Sequence, residues 1–464
     1  LFSTGSEFYV QDHFKVSRKL TLDLGVRYEY MPPFVEWHNR YATFVVDPSL
    51  AGYGTLIPAK DGSIEERSLQ RPDRNNFSPR LGLAWQATAN TVIRAGYGIF
   101  YDSTAQGTFS DLPAGNPPFY LDTQIATGNT SATSSVIVKN GFAADALKPE
   151  VLAGRAVFNQ FPYDFPDALT QQWNLNMQRA LPKNMVVSAA YIGSNTVHRR
   201  WSAIDLNQPS PGSTAINSRR LFPNQSTITT SLPEGRGNYQ ALELKLERRF
   251  AGGFSTLNGY TWSHAMITDS GPNTRVMQRE RGLSPEDMRQ RFFSTIIWDI
   301  PVGKGRRWVS NGTVSQIIGG WQFSTLFVAQ AGLPYTPGQS ANTMNWTGAN
   351  RPNRIGDGNL ASGERTPDRW FDKAAFATAT PFILGNSGSN IIWAPGVVNL
   401  DTTLSRTFQL TERFKLDFRS EFFNVLNEAH LAAPNMTVDV ANGGAISSTD
   451  TPGRQIQFGM KLIF

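Results

Sequence analysis

The chain has 464 residues, 40% of them hydrophobic and 12% aromatic, with a formal net charge of +6 and no cysteine. Without thiols there are no disulfides, zinc–thiolate sites or cysteine nucleophiles. Mean hydropathy is −0.32, and no run of about 18 apolar residues offers a membrane-spanning helix. A transmembrane β-barrel is still allowed, because its strands need only about ten residues and half of them face a wet lumen.

The basic balance does not point to nucleic acid. Lys and Arg are scattered along strands and turns, with no basic helix and no run of five, so no nucleic-acid partner is expected. The chain begins at Leu1 with neither Met nor an export signal. It reads as a fragment or a mature segment whose signal lies upstream.

Period-two alternation recurs along the chain. Glu7–Val16 is the first candidate strand. Leu20–Tyr30 is the clearest: Leu20, Leu22, Leu24, Val26, Tyr28 and Tyr30 alternate with Thr21, Asp23, Gly25, Arg27 and Glu29. Such a segment needs an apolar surrounding on one face and a polar one on the other. Phe77–Trp85 repeats the form. Then come Thr91–Asp102, Leu169–Ala180, Met185–Ser194, Tyr239–Phe250, Phe254–His264, Arg291–Ile300, Trp321–Gln330, Asn399–Phe408 and Arg413–Phe423. The terminal segment, Arg454–Phe464, sets Ile456, Phe458, Met460, Leu462 and Phe464 on one face. It makes the thirteenth candidate. A further strand is conceivable at His198–Leu206. Asp12 and Asn258 fall on otherwise apolar faces, where an interface location or a different register would explain them.

The links sort by length. Ser17–Lys19, Thr88–Asn90, Leu181–Asn184, Ala251–Gly253 and Gln409–Glu412 are short; Met31–Asn76, Ser103–Ala168, Asn195–Asn238, Ala265–Gln290, Ala331–Val398 and Asn424–Gly453 are long. Long links alternate with short ones, as extracellular loops alternate with periplasmic turns in outer-membrane barrels. Pro301–Gly320 is an inner link longer than the rest. The expected fold is therefore all-β: a transmembrane antiparallel barrel with long extracellular loops and short periplasmic turns, in the bacterial outer membrane. The first strand would run inward and so would the last, so an odd number of strands is expected upstream. Tyr28, Tyr30, Trp173, Tyr260 and Trp262 suit the outer membrane interface, and Trp298, Trp321 and Phe464 the inner one. Phe458, Met460, Leu462 and Phe464 form the candidate assembly signal at the chain's end.

The other motifs favour bland readings. Gly96-Tyr97-Gly98 lacks the third glycine and the helix of a dinucleotide loop. Gly303-Lys304-Gly305-Arg306-Arg307 lacks Walker spacing and reads as a solvated basic turn. The five histidines show no metal-ligand spacing, so no metal or cofactor is expected. Strand carboxylates such as Asp23 with Glu29, or Asp417 with Glu421, read as lumen charges rather than an acid–base pair; no enzymatic activity is expected. Loop aromatics, including Tyr335, Trp346, Trp370, Phe371 and Trp393, either clamp a ligand at the mouth or pack the loops against one another.

Several stretches resemble the barrel of TonB-dependent outer-membrane receptors, above all the Oar-like branch. They include Leu22-Asp23-Leu24-Gly25-Val26-Arg27-Tyr28-Glu29, Arg94-Ala95-Gly96-Tyr97-Gly98-Ile99-Phe100-Tyr101-Asp102, Leu244-Lys245-Leu246-Glu247-Arg248-Arg249-Phe250, Arg369-Trp370-Phe371 and Glu421-Phe422-Phe423-Asn424-Val425-Leu426-Asn427. The resemblance covers nearly the whole chain, and the order of its motifs is more specific than any one of them. It implies that residues 1–464 supply the last thirteen or fourteen strands of a 22-stranded barrel, with no plug domain in this stretch. It also implies energised uptake or export of an unidentified extracellular ligand. The implied partners are outer-membrane lipid and lipopolysaccharide, the barrel-assembly machinery, and TonB–ExbB–ExbD through an N-terminal region. The rival reading is an outer-membrane adhesion or surface-assembly barrel without active transport.

Overall fold

The structure, a computed structural model, describes residues 1–46, 54–102, 114–120, 157–223, 225–276, 279–309 and 311–464. Much of the expected Ser103–Ala168 loop lies outside the described residues.

All thirteen expected strands form, and they pair in chain order, each antiparallel to the next. They are β1 (Ser6–Lys15), β2 (Leu20–Tyr30), β3 (Phe77–Thr88), β4 (Thr91–Asp102), β5 (Ala168–Leu181), β6 (Met185–Asp205) and β7 (Ile228–Ala251), followed by β8 (Phe254–Ser270), β9 (Gln290–Asp299), β10 (Trp321–Gln330), β11 (Val397–Gln409), β12 (Lys415–Phe423) and β13 (Gln455–Ile463). The two edges, β1 and β13, are not paired with each other.

Register carries one apolar face through the sheet. Leu24 stands opposite Leu81, Leu81 opposite Tyr97, and Tyr97 opposite Trp173. Leu175, Tyr191, Leu242 and Trp262 form the next row. Further along, Tyr260, Phe292, Ala329 and Val398 do the same. Directly opposed residues share a face, so a slip of one residue would exchange the faces along the slipped strand. Asn258 keeps its place on the apolar face in this register. Its amide donates to Thr256 Oγ1 at 3.0 Å and its carbonyl accepts from Ser294 Oγ at 2.7 Å, so its polar atoms are satisfied within the wall. Asp12 stands opposite Leu24, on the apolar side of edge strand β1.

Tight turns close one end. Ala251 pairs with Phe254 across Gly252 and Gly253, at φ 61° and 78°. Both positions lie in the left-handed region that a two-residue hairpin of this twist requires, and glycine enters it without a Cβ penalty.

Strands β6, β7 and β8 run well past the expected Ser194, Tyr239 and His264. His198–Leu206 is not a separate strand: its residues through Asp205 continue β6. Alternation fails to mark these extensions because β7 shifts register against β6 between Thr230 and Gly237. At Gly235 an added Cβ would meet the Arg199 carbonyl at 2.5 Å, so the bulge admits only glycine. Trp201 is fully buried under this extension and donates its indole N–H to the Thr268 carbonyl at 3.3 Å.

Side chains along the strands are mostly half-exposed or exposed, whereas the largest fully buried ones sit in loops and strand extensions: Tyr41, Phe44, Trp201, Phe371 and Ile392. The densest packing is therefore above the wall, not within it.

The Phe-Asn-Val-Leu-Asn stretch shows how a strand hands over to a loop. Asn424 and Asn427 both take positive φ, 50° and 55°. The buried Asn424 side chain accepts from the Glu428 N–H at 3.1 Å and donates to the Glu428 carbonyl at 2.9 Å. Asn427 Oδ1 accepts from the Arg454 N–H at 3.1 Å, where the chain returns into β13. Removing the Asn424 amide leaves buried backbone groups unpaired, so Asn424→Ala should cost about 1–3 kcal/mol. The check is the denaturant midpoint of the folded protein in detergent.

Candidate functional site

The long loops form a cap with two apolar cores. One gathers Phe44, Phe222 and Ile228, with Val46, Leu56, Phe158 and Leu206 against it. The Phe44 ring stacks on Phe158 at 5.3 Å and meets Phe222 edge-on at 5.4 Å. The other gathers Phe371, Ala375, Phe376, Ile392 and Val438, with Ile391 and Met436. It joins the β10–β11 loop to the β12–β13 loop.

Buried amides tie the loop backbones, whose own ladders are short two-stranded pairs such as Ala42–Val46 with Gly54–Pro58. Asn116 donates to the carbonyls of Ala42 and Asn159, both at 2.7 Å, and accepts from the Asn159 N–H at 2.8 Å. Asn207 donates to the Phe222 carbonyl and accepts from the Phe222 N–H at 2.9 Å. Gln208 donates to the Pro272 carbonyl and accepts from the Thr274 N–H at 2.7 Å. Each amide supplies both a donor and an acceptor, which buried irregular backbone needs.

Polar contacts also link the β10–β11 loop to its neighbours. Arg351 grips Glu280 with two nitrogens, at 3.1 and 2.9 Å, and donates to the Ser387 carbonyl at 3.1 Å. Both side chains are largely buried, and the forked geometry suits a carboxylate. Asn345 donates to the carbonyls of Gly212 and Thr214, while Arg219 donates to the Asn345 carbonyl. Asp439 accepts from the N–H groups of Ser340 and Ala341 at 2.7 and 2.9 Å and from the Ser340 hydroxyl. Burial pushes this carboxyl up, but those hydrogen bonds outweigh it and hold it below the ordinary aspartate value. The contact therefore contributes fully above the unfolded-state pKa and is lost as pH falls through the folded one.

The loop aromatics divide. Trp346 and Phe371 are buried and serve packing. Trp370 donates its indole N–H to the Trp393 carbonyl at 2.8 Å, and Arg365 lies over its ring at 5.6 Å. Trp393 carries Arg289 over its ring at 5.6 Å, and Tyr335 pairs with Ile392 in a two-residue ladder. Trp346, Phe371, Trp370 and Trp393 thus have contacts within the cap through their side chains, and Tyr335 through its backbone. The amides Asn116, Asn207 and Gln208 escaped sequence reasoning; polar residues in loops rich in Gly, Pro, Ser and Asn give no periodic signal of burial.

Below the cap, the polar face of the sheet carries matched charges. Arg27 bridges Glu7 at 2.5 Å and Glu29 at 2.6 Å, and His13 meets Asp23 at 2.5 Å. Lys245 pairs with Glu247 at 3.1 Å. Glu243 shares this face, and Lys461 stands opposite Asp417. No cluster of His, Asp and Glu able to hold a metal ion occurs among the described residues.

The family described as outer membrane beta barrel domain matches residues 2–457. The chain belongs to that family. This outer-membrane barrel sits in the bacterial outer membrane, its apolar face toward lipid and its charged face toward the lumen. Its long loops lie outside, and its short turns face the periplasm. No curated protein matches it. Among solved structures, it is similar to the ferric-catecholate import receptor Fiu of Escherichia coli (11% identity, TM-score 0.45, 99% of this chain and 44% of that one). It is also similar to the outer membrane transporter YddB of E. coli (12%, 0.48, 99% and 45%). A third is the siderophore receptor PiuA of Acinetobacter baumannii (11%, 0.47, 99% and 43%). The barrel chain spans less than half the length of each.

The two faces make opposite demands on substitution. Leu24 points to lipid near mid-strand, so Leu24→Arg should destabilise the barrel by about 2–4 kcal/mol. Gly25 points to the lumen, and a Cβ there would meet Val10 O at 3.4 Å and Gln11 Cγ at 3.5 Å, near ordinary contact. Gly25→Arg should cost far less. Urea titrations of both variants in lipid vesicles test the assignment, and equal losses would refute it.

Proposed function

We propose that this chain is the C-terminal part of the barrel wall of a TonB-dependent receptor, in the Oar-like branch, moving a ligand across the outer membrane with energy from the inner membrane. The observation that carries the reading is a charged, wet face running beneath a tied loop cap: Arg27, Glu29, Glu243, Lys245, Glu247 and Lys461 would line the path once a ligand has met the cap. The ordered run of motifs from Leu22 to Asn427 supports the same class. Edge strands β1 and β13 run in the same direction, so antiparallel closure calls for an odd number of further strands between them. In this proposal those strands, a plug domain and the TonB contact are supplied from outside residues 1–464.

The test uses the full-length protein and the purified periplasmic domain of TonB from the same bacterium. Direct binding is expected, and ligand-dependent strengthening of that binding would identify the cargo from a fractionated medium. No binding at any concentration that saturates a known receptor would sink energised transport and leave a surface-structural barrel.

We also propose that Phe458, Met460, Leu462 and Phe464 form the signal read by the barrel-assembly machinery. Phe458, Met460 and Leu462 lie on the lipid side of edge strand β13, Phe464 follows its last residue, and all four are exposed, Phe464 at 80%. Phe464 also approaches the Phe414 ring at 6.4 Å, at the periplasmic rim. Deleting Phe464 from the full-length protein should lower its outer-membrane level several-fold, about tenfold at most, as a rim aromatic and terminal signal are lost together. Quantitative blotting of membrane fractions checks this, and an unchanged level would refute the signal.

A further inference from the structure

The long periplasmic turn between β9 and β10 is folded inside out. Residues 301–320 contain Lys304, Arg306 and Arg307 and no acidic residue. The turn is tightly made. Trp308 N–H donates to the Pro301 carbonyl and Gly303 N–H to the Trp308 carbonyl, both at 3.0 Å. A short helix, Thr313–Ile318, follows. Gly303 and Gly319 press together: an added Cβ on Gly303 would meet Gly319 Cα at 2.4 Å. The interior of the turn is thus glycine backbone and the buried Ser315, whose hydroxyl donates to the Gly312 carbonyl at 2.6 Å. Its apolar side chains point outward: Trp308, Val309, Val314, Ile317 and Ile318 are 43% to 66% exposed. A folded segment that buries serine and displays five large apolar groups is shaped for an apolar surrounding.

We infer that this turn is an interfacial anchor that inserts into the periplasmic leaflet of the outer membrane and binds phospholipid headgroups. Two observations select lipid over a periplasmic protein. The first is continuity with the lipid-facing wall. Arg406 lies on that wall in register with Trp321, stacks over Phe408 at 4.2 Å, and donates to the Ile317 carbonyl. The helix is therefore tied to the outside of the barrel rim. Trp298 and Trp321, at the two strand ends that flank the turn, share the same apolar side. The second is charge. The turn offers three cations beside apolar side chains, the pattern of a segment that lies in the headgroup layer. Arg306 retains a 3.6 Å contact with Asp299, and Arg307 lies 5.9 Å from the Trp308 ring centre. The basic stretch that fits no nucleotide-binding pattern fits a layer of lipid phosphates.

The test uses full-length protein in vesicles of phosphatidylethanolamine and phosphatidylglycerol. Ile317→Cys introduces the only thiol in residues 1–464, and a fluorescent label there reports its surroundings. Gly363→Cys, in the outer cap with open space around its Cβ, is the aqueous control. Nitroxide-bearing phospholipid should quench the Ile317 label about threefold more than the control, and iodide should quench it less, as for a residue sunk at the headgroup boundary. Val314→Cys gives the same reading should Ile317→Cys fail to assemble. Adding Lys304→Ala, Arg306→Ala and Arg307→Ala together should abolish the dependence of quenching on phosphatidylglycerol content. Three results would overturn the anchor: strong iodide quenching with no effect of nitroxide lipid, shielding that appears only with periplasmic extract, or phosphatidylglycerol dependence unchanged in the triple variant.

Discussion

Within hydrocarbon a backbone N–H or C=O with no partner costs several kcal/mol, so each strand in the wall must be bonded to its neighbours. The uninterrupted antiparallel order from β1 to β13 is the answer to that constraint. Once the ladder is fixed, the pleat leaves one choice per strand, and register makes the choice common to the sheet. The Arg27 ion pairs on the wet side and the Leu24–Leu81 row on the lipid side are two results of one pairing. Asn258 is tolerated on the lipid side because Thr256 and Ser294 take up its polar atoms locally.

Above the membrane the physics changes. The loops have water on one side and no continuous ladder, so they are ordered by point contacts. Buried amides such as Asn116 and Asn207 substitute for missing strand partners, and rings such as Phe44 and Phe371 provide the apolar burial. The extensions of β6, β7 and β8 connect the two regimes, with Trp201 locked beneath them. The Arg351–Glu280 fork then joins the largest loop to the β8–β9 connection.

The wall was legible in the sequence because alternation is a direct imprint of its two-sided environment. Strands such as Leu20–Tyr30, Thr91–Asp102 and Trp321–Gln330 have the bounds that their patterns indicate. Legibility ends where that environment ends. Beyond Ser194 both faces of the strand become mixed, and the bulges around Gly235 break the period. The cap was not legible for a related reason: burial of Asn207 or Trp346 depends on contacts between loops far apart in sequence, and neither residue type nor spacing records them. The terminal strand was legible as a strand, whereas the inverted packing of the 301–320 turn emerges only from exposure.

The two apolar cores of the cap share none of their residues, and the contacts noted between the regions that hold them, from Arg219 to Asn345 and from Gly212 to Met344, are hydrogen bonds. Hydrogen bonds exchange with water at little net cost, whereas each core loses its burial all at once. The cap should therefore open as two cooperative units rather than one. Loss of one core is then expected to leave the other folded.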